Sequence, residues 1–123
     1  MADLKSKNPY DDLLTRSEEA VPGNPKEWKT VTHKVWEDDT EKRWRIRIII
    51  ANPAPFKFFI GYDIETPSGG IYLVPGKEKG YAKSERHAML YALGRIQVNL
   101  DLTQEQEHAV KEEIFKQRQL TLF

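Results

Sequence analysis

The sequence predicts an α+β domain: a four-stranded antiparallel sheet followed by two helices packed on one of its faces, with an irregular N-terminal arm. Three observations lead there. Two stretches with apolar residues at every second position flank a short polar turn at residues 37–41. Two further apolar runs, at 56–65 and 71–74, are separated by Pro67-Ser68-Gly69-Gly70 and closed by Pro75-Gly76. After Ser84 the apolar spacing becomes helical. Strands therefore come together first and helices follow, which favours an antiparallel sheet with helices on one side.

Residues 1–27 are polar and interrupted by Pro9, Pro22, Gly23 and Pro25. Tyr10-Asp11-Asp12-Leu13-Leu14 has room for one helical turn, and 16–26 reads as a linker, so this arm is expected to be only lightly docked. From Trp28 the chain alternates: Val31, His33 and Val35 against Thr30, Thr32, Lys34 and Trp36. After the turn, Trp44, Ile46, Ile48 and Ile50 alternate with Arg43, Arg45 and Arg47. Pairing Val35 near Trp44 and Val31 near Ile48 gathers the aliphatics on one face. The other face then carries Trp28, Lys34, Trp36 and the three arginines.

Asn52-Pro53-Ala54-Pro55 breaks the pattern, and a third strand follows with Phe58, Ile60, Tyr62 and Ile64 on one face. Residues 71–74 make the fourth. Ser84 is a suitable N-cap for a helix reaching about Val98. Thr103 with Gln106 three residues on is a capping-box pattern, opening a second helix over 104–118 with Val110 and Ile114 as its buried stripe. The predicted organisation is an arm at 1–27, a domain at 28–118 and a tail at 119–123.

The chain has 123 residues, enough for one domain with its own core. It lacks cysteine, which excludes disulfides, thiolate-bound zinc and thiol catalysis. The N-terminal residues lack the apolar stretch of a secretory leader, and no apolar run reaches the eighteen or so residues of a membrane helix. A cytoplasmic protein without membrane contact is the expectation. Nineteen basic and nineteen acidic residues balance, so any nucleic-acid contact must come from a local patch rather than overall charge.

Lys34, Trp36, Arg43, Arg45 and Arg47 form the candidate patch. Arginine contacts phosphate and tryptophan stacks on bases, which suits single-stranded nucleic acid on an open sheet. The same residues also make a solvated face with arginine stems lying over tryptophan rings. The order of a short N-terminal helix, a sheet and then a helix loosely resembles the double-stranded RNA-binding domain. Ser84-Glu85-Arg86-His87-Ala88 stands at the helix start that is lysine-rich in that family, but the lysine pair is missing and one strand is extra.

His33, His87 and His108 have no metal-site spacing. Asp63 and Glu65, with Lys77 and Lys79, form a loose nuclease-like set, but acidic residues and lysines are common in any chain. Ser68-Gly69-Gly70 lacks the following Lys-Ser/Thr of a phosphate-cradling loop. The chain is therefore read as non-enzymatic, with no catalytic residue, metal ligand or cofactor.

Residues 119–123 read Gln119-Leu120-Thr121-Leu122-Phe123. Three large apolar side chains among these five fit an extended peptide that inserts into a groove. The pentapeptide resembles the docking motif by which many bacterial replication and repair proteins bind the sliding clamp. That resemblance rests on Gln119, Leu120, Leu122 and Phe123, with Thr121 where serine or aspartate is more usual. It implies that Gln119 anchors by hydrogen bonds, that Leu122 and Phe123 fill an apolar pocket, and that the partner is a clamp. The expected function is an adaptor or accessory protein of DNA replication, repair or a mobile element. The alternatives are a nucleic-acid-binding module using the sheet face, or a mobile-element protein that inhibits a host process.

Overall fold

A computed structural model describes residues 8–16, 23–38, 43–76 and 80–119. The strands are β1 (Leu14–Thr15), β2 (Thr30–Glu37), β3 (Arg45–Ala54), β4 (Lys57–Thr66), β5 (Gly69–Leu73) and β6 (Tyr81–Ala82), followed by helices α1 (Glu85–Asn99) and α2 (Gln104–Gln119). Short 3-10 turns cover Asp11–Leu13 and Pro25–Glu27. The α+β class and the two closing helices agree with the sequence reading, but the sheet has six strands among the described residues rather than four. The two additional strands are two residues each, too short to show alternation.

The order is β1-β6-β4-β3-β2, with β5 also on β4, and every pairing is antiparallel. The ten-residue β4 is the organiser. One edge pairs along β3, while the other takes β6 at Phe58 and β5 from Tyr62 to Thr66. Between those two partners the chain crosses β4 at Gly61. A Cβ there would collide with the Leu73 carbonyl oxygen and lie 2.7 Å from Pro75 Cδ, so only glycine admits the crossing.

Alternation places Ile46, Ile48 and Ile50 of β3 and Ile60, Tyr62 and Ile64 of β4 on the helix side. They pack against Ala88, Met89, Tyr91, Ala92, Leu93 and Ile96 of α1 and Val110 of α2. Helix α1 is buried almost all round because the sheet, α2 and the N-terminal segment each cover part of it. Both expected caps form. Ser84 Oγ accepts from the His87 amide at 3.1 Å. Thr103 Oγ1 accepts from the Gln106 amide at 3.1 Å, and Gln106 Oε1 from the Thr103 amide at 2.9 Å.

Four expectations are corrected. Residues 8–16, assigned to a lightly docked arm, are integral: Leu14 is in the core and β1 pairs with β6. In the first hairpin Val31 pairs with Ile50 and His33 with Ile48, two residues from the expected register. A bulge between Lys34 and Trp36 then shifts the register by one, so Trp36 faces Ile46 on the helix side instead of joining the arginines. Finally, Asn52-Pro53-Ala54 does not break the chain. β3 continues irregularly to Ala54, and Pro55-Phe56 makes the hairpin turn with Phe56 at φ 61°.

Candidate interaction surface

The sheet face away from the helices is built by Thr30, Thr32 and Lys34 of β2, Arg45, Arg47 and Ile49 of β3, Phe59, Gly61, Asp63 and Glu65 of β4, and Tyr72 of β5. It divides into a charged half and an apolar half.

In the charged half Asp63 lies between two arginines. Its Oδ1 accepts from Arg45 Nε at 3.1 Å and Nη2 at 2.9 Å, and its Oδ2 from Arg47 Nη1 at 3.4 Å. Arg47 Nε also donates to Glu37 Oε2 at 2.6 Å. That hydrogen bond and the Arg47 charge hold the Glu37 carboxyl below its ordinary value, against a smaller opposing effect of burial. Arg45 and Arg47 are raised in turn, chiefly by their bonds to Asp63 and Glu37.

Of the patch read from sequence, the structure keeps Lys34, Arg45 and Arg47 on one face. Arg43 precedes β3 in the left-handed region at φ 55°, and its carbonyl accepts from Arg45 Nη1 at 3.1 Å. Trp36 lies on the opposite face. The guanidinium groups of Arg45 and Arg47 are thus bonded to carboxylates of their own sheet. The cross-strand pairs Arg45–Glu65 and Arg47–Asp63 carry this arrangement, and only the register shows them to be opposite.

In the apolar half Trp28 stacks on Phe59 with centroids 4.8 Å apart and lies 3.0 Å from where a Gly76 Cβ would stand. Between this corner and Tyr72 runs an open trough of about 620 Å³, lined by Lys26, Trp28, Thr30, Thr32, Ile49 and Tyr72, with Val74 and Pro75 on its wall. Tyr72 is 70% exposed and Val74 37%. Sequence reasoning missed this trough. Tyr72 and Val74 read as ordinary strand residues, and only the crossing over Gly61 brings them beside Ile49.

On the helical side, α2 buries only Gln106 and Val110 and half-buries Ile114. Gln119 is exposed, and Phe115 is 62% exposed. Leu120, Leu122 and Phe123 lie outside the described residues, as do Lys77 and Lys79. His33 Nε2 lies 2.8 Å from Glu85 Oε2, joining β2 to the start of α1. His108 lies 3.4 Å from Glu112 within α2. Among the described residues no group of three or more His, Asp or Glu side chains is placed to hold a metal, and no helix is long and apolar enough to cross a membrane. No protein-family model, curated protein or solved structure matches the chain.

Proposed function

We propose that this chain is a non-enzymatic adaptor of DNA replication, repair or a mobile element, docking on a bacterial sliding clamp through residues 119–123. The reading is carried by the pentapeptide Gln119-Leu120-Thr121-Leu122-Phe123. The packing of α2 supports it. Its last fully buried position is Val110, so the motif begins beyond the residues that hold the helix to the core. Gln119, the first residue of the motif, ends α2 and is exposed, so a peptide following it can enter a groove in extended form without unpacking the helix.

The test is surface plasmon resonance of the full chain on immobilised bacterial sliding clamp. Wild type is expected to bind. Leu122→Ala combined with Phe123→Ala should weaken binding by at least about tenfold, since apolar anchors dominate such contacts. Gln119→Ala should weaken it less, and melting temperatures should be unchanged. Absence of wild-type binding refutes the reading, as does unfolding of the double variant, which would make the tail part of the core.

A further inference from the structure

We infer that the trough on the outer sheet face is a binding site for single-stranded DNA. This does not depend on clamp docking. It rests on three features of the face: an aromatic platform, apolar walls and a lysine at each end of the trough.

Tyr72 offers its ring to solvent at one side of the trough, and Trp28 closes the other. A base held between them finds a π-face and an apolar floor at Ile49, while the hydroxyls of Thr30 and Thr32 line the β2 side and can meet its polar edge. The charge complement comes from lysines. Lys26 lines the trough at the Trp28 end, and Lys34 follows Thr32 on the same face at the other. Lys26, Lys29 and Lys34 are exposed and make no ion pair among the described residues. Of the carboxylates on this face, Glu37 and Asp63 are bonded to Arg47 and Arg45, and Glu65 lies opposite Arg45 in the charged half, outside the trough lining. Among the residues lining the trough the charged side chain is cationic, Lys26, with Lys34 beyond Thr32 on the same face, which favours a polyanion over an apolar peptide. Val74 and Pro75 present no hydrogen-bonding side chain on their wall, so a ribose 2′-hydroxyl packed there would lose its partners; this favours deoxyribose.

Fluorescence anisotropy of labelled dT12 with the full chain tests the site. Wild type is expected to bind, with affinity falling as salt rises. Tyr72→Ala should weaken binding about tenfold, the effect of losing one stacking contact. Lys26→Glu with Lys34→Glu should flatten the slope of log affinity against log salt by about 1.4, at roughly 0.7 per neutralised phosphate on a single strand. Both sites are exposed, so circular dichroism should be unchanged. The Leu122→Ala, Phe123→Ala variant should bind dT12 as wild type does, which separates failure here from failure of clamp docking. The inference is overturned if wild type does not bind dT12, or if Tyr72→Ala and the lysine variant both bind like wild type. It is equally overturned if U12 or duplex DNA binds more tightly than dT12, or if the trough takes an apolar peptide and ignores dT12.

Discussion

The side-chain amide of Asn8 donates to the main-chain carbonyl of Tyr91 at 3.0 Å, joining residues 83 positions apart where the N-terminal segment crosses α1 at Gly94. Asn8 Oδ1 also accepts from the Tyr10 amide at 2.9 Å, which turns the chain toward β1. A Cβ at Gly94 would collide with Asn8 Oδ1 and stand 2.9 Å from Tyr10 Cδ2.

Gly94→Ala is therefore expected to destabilise the protein although alanine is the better helix former. The propensity gain is about 1 kcal/mol, while overpacking and loss of the Asn8 bonds cost about 2–3 kcal/mol. Urea unfolding should show a net loss of about 1–2 kcal/mol. In a double-mutant cycle with Asn8→Ala the two effects should fall short of additive. A stabilised Gly94→Ala variant would mean the N-terminal segment does not rest on α1.

Gly61→Ala puts a Cβ against backbone atoms of the β5 exit rather than a movable side chain. A loss of about 2–3 kcal/mol is expected, the upper range for overpacking. Hydrogen exchange should rise in β5 with little change in β2, because only β5 leaves the sheet over this residue. Uniformly raised exchange would contradict that assignment.

Asp63→Asn leaves Arg45 and Arg47 without their shared charge partner. The Asp63 side chain is only 16% exposed, so screening by water is incomplete. A loss of about 1–2 kcal/mol is expected, between the value of an exposed pair and that of a buried charged hydrogen bond. Glu37 gives the network a pH signature. Its carboxyl is held below the ordinary 4.5, so its stabilising contribution is full above that value and is lost as pH falls through the folded-state value. In Arg47→Gln this acid-side loss should shrink in melts recorded from pH 5 downward.

His87 contributes on a different pH range. Burial, with Arg86 and Lys83 nearby, holds its imidazole below the ordinary 6.5. Its Nε2 lies 3.1 Å from Arg86 Nη2, which suits a neutral ring accepting from the guanidinium. The unfolded chain takes up the proton first on acidification. Stability is therefore full above about 6.5 and declines as pH falls toward the folded-state value. His87→Gln should flatten this decline, and NMR titration should place His87 below a free histidine. A titration at or above 6.5 would refute the assignment.

Much of the fold was legible in the sequence because its signals are local. Alternation marked β3 and β4, Ser84 and the Thr103/Gln106 pair marked both helix starts, and Val110 was identified as core. The sequence reading went astray where a structure depended on one residue or on distant partners. One inserted residue at the β2 bulge turned Trp36 away from the arginines. β1 and β6 are too short to carry a period and exist only because each pairs with something remote.

The candidate sites divide the same way. The motif at 119–123 is contiguous, so residue order alone defines it, as it defines the α+β class. The outer face depended on the tertiary structure. Register set Asp63 and Glu37 against the arginines, and the crossing at Gly61 brought Tyr72 and Val74 beside Ile49 and Trp28. The physical reason is range: turn, cap and periodicity preferences act over a few neighbouring residues, whereas pairing register and close backbone approach are settled only when the whole sheet packs.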